Sequence, residues 1–167
     1  MQKVDSLPRL ESGNFRIPTN GWKEKKLAGE GWVLLHPQGD VSEHLDGPNA
    51  GEQHFTWKAA VRETRLCGKL IPTLDEWMAI LRTASPHLEV SEDWQKVANL
   101  HERFGLPLAG SMHSSGAVKF EDGKSGHYWG LSRLGVFGLP VSFSETEVRT
   151  ACNAVPTHRF SIRCLAA

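Results

Sequence analysis

The sequence predicts an α+β domain with two to three helices and a small antiparallel sheet. Three observations support this prediction: the chain has 167 residues of ordinary apolar content, residues 56–105 show helical periodicity, and the later residues alternate as strands do. Helices followed by strands along a chain are typical of an α+β domain. A core of this size needs neither a metal ion nor a disulfide to stabilise it.

The first 50 residues differ in composition from the rest of the chain. They are rich in Gly, Pro and polar residues, with short apolar pieces such as Gly31–Leu35 that are typical of strands. A turn is expected at Asp46–Asn49. We therefore divide the chain into an N-terminal extension, residues 1–50, packed on a domain of residues 51–167.

Helix signals follow in order. The first helix is expected to begin after Thr56 as N-cap, and to end near Cys67–Gly68 because glycine favours a helix C-terminus. The second begins with a capping box formed by Thr73 and Glu76, in which each side chain bonds a backbone N–H of the first turn. A third is expected from Ser91 to Gly105, with acidic residues at its N-terminus. Its apolar face combines Trp94, Val97, Ala98 and His101.

Strand signals dominate the C-terminal third. Ala117–Phe120, the turn Glu121–Lys124 and His127–Trp129 predict a hairpin. Val141–Ser144 and Phe160–Arg163 alternate with period two, as strands with one solvent-facing side do. This alternation predicts that the serines at 142 and 144 share one face of a strand.

Composition and charge exclude several classes of function. Nineteen basic residues balance nineteen acidic ones, so we expect no nucleic-acid partner. No apolar run is long enough for a membrane span, so we expect no membrane insertion. No signal peptide is recognisable either, so we expect that the protein is made without secretion or that its leader has been removed. The three cysteines, Cys67, Cys152 and Cys164, form no C-x-x-C pair, which argues against structural zinc.

Motifs of catalysis are also missing from the sequence. The eight histidines form neither an H-x-H nor an H-E-x-x-H arrangement, and no G-x-S-x-G nucleophile motif occurs. His101 is expected to be a core or boundary histidine rather than a metal ligand. The prediction is therefore a protein that is not an enzyme, with no catalytic residues, no metal site and no cofactor.

Several segments resemble a known group of folds. Phe55–Ala60 and Cys67–Trp77 resemble the helix and the R-L-P-T, E-x-E-W signature of the formylglycine-generating-enzyme branch of C-type-lectin folds. The C-terminal part is similar to the AG…SSG…G-x-YWSSS…FSVRC pattern of Fibrobacter major paralogous domains and of variable proteins of diversity-generating retroelements. The matching segments are Leu106–Gly110, Ser114–Gly116, Gly126–Ser132 and Phe160–Cys164, and the resemblance covers roughly residues 50–167.

This resemblance implies a C-type-lectin-like fold and a ligand-binding display protein with its binding surface in residues 127–158. In retroelement variable proteins, mutated AAC codons keep their final C and cannot encode Lys, Gln, Glu, Met or Trp. Residues Gly130–His158 contain no Lys, Gln, Met or Trp. Glu145 and Glu147 must then be fixed positions. The resemblance implies an unidentified protein or cell-surface ligand and attachment to a larger virion or surface assembly.

The expected site combines diversified side chains with an aromatic frame. The frame candidates are Trp57, Trp77, Trp129, Phe143 and Phe160, whereas Tyr128 suits either the core or the ligand surface. Residues 131–140 suit either a buried strand or a loop that exposes apolar side chains. The predicted ligand-binding residues are His127, Leu131, Arg133, Leu134, Val136, Phe137, Leu139, Ser142, Ser144, Arg149, Asn153, Val155 and His158.

Two alternatives remain open at this stage. One is an undiversified surface or structural module, and the other is an oxidoreductase similar to the formylglycine-generating enzymes. Those enzymes use a pair of cysteines, and Cys152 has no close partner in sequence. Related lectins also imply a bridge or a close thiol pair between Cys67 and Cys164. Gly47–Asn49 lacks the acidic residue of calcium-dependent sugar-binding motifs, so no such binding is expected.

Overall fold

The fold is available as a computed structural model, which describes residues 10–12, 25–26, 32–34, 40–45, 47–112, 119–120, 122–151 and 154–165. The described residues form three helices and four small antiparallel sheets, which confirms the predicted α+β class. The helices are α1 Trp57–Leu66, α2 Leu74–Leu81 and α3 Leu100–Arg103. The strands are β1 Leu10–Ser12, β2 Lys25–Lys26, β3 Trp32–Leu34, β4 Val41–His44, β5 Gln53–Phe55, β6 Gln95–Lys96, β7 Ser111–Met112, β8 Lys119–Phe120, β9 Ser125–Leu131, β10 Gly138–Ser144, β11 Glu147–Thr150 and β12 Arg163–Leu165.

The first two helices begin where their capping residues predict. The Thr56 side chain accepts a hydrogen bond from the Ala59 amide at 3.2 Å, and Cys67 is the C-cap of α1. Before α2, the Glu76 amide donates to the Thr73 hydroxyl at 3.1 Å, and the Thr73 amide donates to the Glu76 carboxylate at 3.0 Å. The predicted capping box is therefore confirmed, because both reciprocal bonds are present.

The predicted third helix is wrong over its first half. Only Leu100–Arg103 is helical, and residues 95–96 form a strand instead. The Gln95 side chain donates to the Glu89 carbonyl at 2.7 Å and accepts from the Glu89 amide at 2.9 Å, which fixes a local loop. The Ser91 carbonyl accepts from the amide of Thr150, in β11, at 2.8 Å. Backbone groups that a helix would use are thus bonded to a distant strand.

Two four-stranded sheets organise the described part of the chain. One has the strand order β2-β3-β4-β5, and the other has the order β6-β11-β10-β9. The pairing of β4 with β5 joins the predicted extension directly to the predicted domain, with Val41 opposite Phe55. The predicted hairpin of residues 117–129 is wrong in its pairing, because β8 pairs with β7 and β9 pairs with β10. Each of the two strands pairs with a strand six residues away, on the side opposite to the predicted turn at Glu121–Lys124.

The central strands β9 and β10 are covered on both sides. Tyr128 packs in the cluster of Trp77 and Phe143, whereas its neighbour Trp129 packs in the cluster of Phe55 and Phe160. Consecutive residues of a strand point to opposite faces, so the two clusters lie on opposite faces of the sheet. The placement of Trp129 in the frame is confirmed, and Tyr128 also belongs to the core.

Hydrogen bonds fix the orientation of these aromatic side chains. The indole N–H of Trp129 donates to the Phe55 carbonyl at 2.7 Å, and that of Trp77 donates to the Trp129 carbonyl at 3.2 Å. The Tyr128 hydroxyl donates to the Pro107 carbonyl, and burial raises its pKa well above the ordinary value. Each of these three donors thereby gains a protein acceptor in place of the water molecule that it loses on folding.

The bridge that the resemblance implied between Cys67 and Cys164 is wrong, because no disulfide joins these two cysteines. Leu70, three residues after Cys67, is the residue that pairs with Leu165 of β12. Cys67 is exposed at the end of α1, whereas Cys164 is buried. Cys152 lies outside the described residues.

Candidate functional site

A tight loop joins the two central strands, and its backbone is held by its own hydrogen bonds. The Ser132 amide donates to the Phe137 carbonyl at 2.9 Å, and the Gly135 amide donates to the Ser132 carbonyl at 2.8 Å. The Ser132 hydroxyl, which is buried, accepts from the amides of Val136 and Phe137 at 3.4 and 3.5 Å. Gly135 takes a φ of 73°, which residues with a Cβ rarely adopt. We call residues 132–137 the display loop.

The end of the display loop is packed against aromatic rings. A Cβ atom on Gly138 would lie 2.3 Å from Trp57 and 2.8 Å from Trp129, so only glycine fits there without a shift. On the other strand, the Leu131 amide donates to the Pro72 carbonyl at 2.8 Å. The loop therefore emerges from a rigid base, which is the usual arrangement of binding loops.

The side chains of the display loop point into solvent. Leu134 is 82% exposed, Val136 is 70% exposed and Phe137 is 44% exposed. Arg133 is also exposed, and its guanidinium lies 3.0 Å from the carboxylate of Asp75. An ion pair as exposed as this one contributes little stability. The loop thus presents three apolar side chains and one cation that the fold does not require.

A small cavity opens on one side of the display loop, and we call it the Phe137 pocket. Its volume is about 280 Å³. Leu74 and Leu139 are its buried apolar members, and Val90, Leu134 and Phe137 are its other large apolar members. Its remaining lining residues are Ser91, Glu92, Ser132, Arg133, Thr150 and Ala151. A largely apolar concavity with a few polar groups is the usual form of a side-chain binding pocket.

A wider groove lies on the other side of the loop, between it and α1, and we call it the α1 groove. Its volume is about 430 Å³. The charged residues of its lining, Arg65 and Lys69, are both basic. Its remaining lining residues are Trp57, Val61, Thr64, Leu70, Ile71, Leu131, Gly135 and Val136. The display loop is therefore a ridge between two apolar depressions, one of which carries positive charge.

The structure exposes some of the predicted ligand-binding residues, but not all of them. Six are exposed: Arg133, Leu134, Val136, Phe137, Arg149 and Val155. Four are half-buried: His127, Leu131, Ser144 and His158. Leu139 and Ser142 are buried, and Asn153 lies outside the described residues.

The prediction that Leu139 and Ser142 lie on the ligand surface requires correction. Leu139 is only 7% exposed and belongs to the core, with its edge at the Phe137 pocket. Ser142 is 3% exposed because both faces of β10 are covered, so the predicted solvent-facing side of this strand is wrong. Ser144 lies six residues from Gly138 along the strand, about 20 Å from the display loop. It therefore does not share a surface with the loop.

His127 is held between two buried serines. Its Nδ1 atom lies 2.7 Å from the Ser142 hydroxyl, and its Nε2 atom lies 3.1 Å from the Ser125 hydroxyl. The rings of His127 and His158 both lie near Phe160, with centroid distances of 5.8 and 6.4 Å. Because both serines are buried, neither hydroxyl is open to a substrate carbonyl. These contacts orient the imidazole and fix the ends of β9 and β10.

The structure also reveals site residues that the sequence reasoning missed. Leu66 and Leu70 are highly exposed near the end of α1, beside the α1 groove. Trp94 is partly exposed, and the Arg149 guanidinium lies 4.6 Å from the centre of its ring. The sequence did contain a signal for the exposure of Leu66, because this residue does not lie on the apolar stripe of α1. No sequence signal could have paired Arg149 with Trp94.

Within the part of the chain that the structure describes, no three His, Cys, Asp or Glu side chains are grouped so that they could hold a metal ion. In the same part, none of the helices has the length and apolar character needed to traverse a bilayer. Comparison of the chain with protein-family models, with curated proteins and with solved structures finds no match.

Proposed function

We propose that this protein binds a macromolecular ligand through the display loop, on a C-type-lectin-like scaffold. The observation that carries the proposal is the exposure of Leu134, Val136 and Phe137 on a loop whose backbone is fixed from below. Leu134 and Val136 would each contribute roughly 1.5–3 kcal/mol if a partner covered them completely, and Phe137, which is already more than half buried, about half as much. The folded protein gains nothing comparable from them, and exposed apolar patches commonly mark interaction sites.

The two depressions beside the display loop define what a partner would present. The Phe137 pocket suits one apolar side chain, inserted beside Phe137 and Leu134. The α1 groove suits a segment that carries both an apolar and an acidic side chain, because the exposed Arg65 lines it. A central apolar anchor surrounded by polar contacts is the usual anatomy of a protein interface.

The exposure pattern also supports diversification of this surface. Replacement of the exposed side chain at Arg133, Leu134 or Val136 would leave the core contacts unchanged, whereas replacement of Phe137 would also reshape the Phe137 pocket. The residues that flank the loop, by contrast, are fixed: Gly138 packs against two tryptophan rings, and the Leu131 amide donates to the carbonyl of Pro72, just before α2. A scaffold that separates its core from its ligand surface in this way tolerates many side chains at one site. We therefore assign the protein to the variable-protein type of ligand-binding modules.

A display library tests whether this loop is a competent binding surface. One library randomises positions 133, 134, 136 and 137, and a matched library randomises four exposed positions after α2, namely 82, 83, 86 and 87. Both libraries are panned against purified lysozyme as a generic folded protein. We expect binders of micromolar affinity or better, that is about −8 kcal/mol, from the first library alone. Equal enrichment from both libraries would contradict the proposal.

A further inference from the structure

Two buried arginines near the C-terminus have very different partners. Arg163 is 7% exposed, and its guanidinium donates to both carboxylate oxygens of Glu52, at 2.6 and 3.1 Å. Arg159 is 5% exposed, and its Nη1 atom donates to the Ser42 hydroxyl at 2.6 Å. Its Nε atom has no hydrogen-bond partner among the described residues. Arg163 is therefore paired with a carboxylate, whereas the hydrogen-bond acceptor that the described residues give to Arg159 is a neutral hydroxyl.

The one carboxylate that acts on Arg159 among the described residues is already bound by another arginine. Asp40 acts on it through space, but its two carboxylate oxygens accept hydrogen bonds from Arg62, at 2.9 and 3.2 Å. Burial lowers the pKa of Arg159. Burial is also the largest influence on Arg163, but the hydrogen bonds and the charge of Glu52, with smaller contributions from Tyr128 and Cys164, together outweigh it and raise the pKa of Arg163. A guanidinium keeps its charge in proteins, and a buried charge without a counter-charge is strongly destabilising. Among the described residues Arg159 thus shares its counter-charge with Arg62 and has no carboxylate hydrogen-bonded to it, so a further anion would stabilise it.

The surroundings of Arg159 offer further hydrogen-bond donors. Trp32 and His44 are cross-strand neighbours, as are Ser42 and His54, so all four side chains lie on one face of the β3-β4-β5 sheet. The indole N–H of Trp32 is buried and has no acceptor among the described residues. His54 adds no positive charge near neutral pH, because burial lowers its pKa to about 3. The region therefore has one buried cation, the unused N–H donor of Trp32 and one unused acceptor, Nδ1 of His54.

We infer that Arg159 is the centre of a binding site for a small anion. The ligand class is a compact group with one or two negative charges and several acceptor lone pairs, such as a halide, an inorganic oxyanion or a carboxylate. Two N–H donors of a guanidinium match such a group, and a buried setting strengthens the interaction. The site uses no residue of the display loop, so it stands or fails independently of the proposed function.

Thermal melting in three sodium salts tests this inference. The full chain is melted in rising sodium chloride, sodium sulfate and sodium formate, with sodium HEPES holding the ionic strength constant. We expect at least one small anion to raise the melting temperature with saturation, by roughly 5–10 °C at a hundredfold excess over its dissociation constant. The three arms distinguish halide, oxyanion and carboxylate as the ligand.

Three variants provide the controls. Arg159→Met is close in size and neutral, and we expect it to lose the anion response and to melt at or above the wild-type temperature at the lowest salt concentration. Arg103→Met removes an exposed arginine and should respond as the wild type does. Arg159→Lys keeps the charge and should retain a weaker response if the Met variant does not fold. Equal responses of the wild type and Arg159→Met, or a linear response without saturation in the wild type, would overturn the inference.

Discussion

We expect acid to destabilise this protein through His54, and the substitution His54→Gln to reduce that loss. His54 is fully buried, and its Nε2 atom lies 3.0 Å from the Gly110 carbonyl, so Nε2 carries the proton and Nδ1 does not. Burial lowers its pKa from 6.5 to about 3 in the folded state. A glutamine amide can donate the same hydrogen bond to Gly110 but does not titrate.

The direction of the effect follows from proton binding. Between pH 6.5 and 3 the unfolded chain binds a proton at His54 that the folded chain does not bind. The contribution of this histidine to stability is therefore complete above pH 6.5 and decreases as the pH falls. Each unit of pH in this window costs about 1.4 kcal/mol, so the loss between pH 6.5 and 4.5 is roughly 3 kcal/mol.

The measurement is the free energy of unfolding in urea at pH 7.5, 6.0, 5.0 and 4.5. We expect the variant to be less stable than the wild type at pH 7.5, because the replacement is imperfectly packed, but to lose less stability in acid. His87→Gln is the matched control, since His87 is exposed, and it should follow the wild-type slope. Parallel losses in the wild type and His54→Gln would refute the assignment of the acid sensitivity to this histidine.

Three further predictions concern packing. Gly138→Ala should lower the free energy of unfolding by about 1–3 kcal/mol, measured in urea, because the new Cβ meets the indole rings below it. Leu134→Ala should change that free energy by less than ~0.5 kcal/mol, because Leu134 is exposed. Leu139→Ala should cost ~2–5 kcal/mol, because Leu139 is buried. Equal effects at the two positions would contradict this assignment. Glu52→Gln should cost about 3 kcal/mol in the same assay, because it leaves the Arg163 guanidinium buried without its counter-charge, and an unchanged stability would show that the pair is not needed.

Local signals in the sequence predicted the elements that depend on local contacts. The capping box of Thr73 and Glu76 defines the start of α2 within four residues, so it can be read without knowledge of the rest of the fold. The same holds for Thr56 at α1. Trp129 was predictable as a frame residue because so large an apolar side chain is rarely accommodated outside a core.

Elements that depend on distant contacts were not predictable. The segment after Ser91 has a helical pattern, but its backbone bonds to Thr150, and the Asn99 backbone is left-handed with a φ of 50°. Ser142 alternates as an exposed residue would, yet a histidine from the neighbouring strand covers its hydroxyl. The exposure of the display loop depends on how the surrounding strands pack. Neither the periodicity nor the composition of the sequence carries that information.

The central claim is that the display loop carries replaceable side chains on a fixed frame, and natural sequence variation tests it most directly. The measurement is deep sequencing of this gene, with its flanking DNA, across the population that carries it. The account predicts adenine-directed substitutions at codons 133, 134, 136 and 137, unchanged codons for Trp129, Gly138 and Leu139, and a neighbouring reverse transcriptase gene with a template repeat. Variation spread evenly over exposed positions of the whole chain, without such a repeat, would contradict diversification and leave an undiversified binding module.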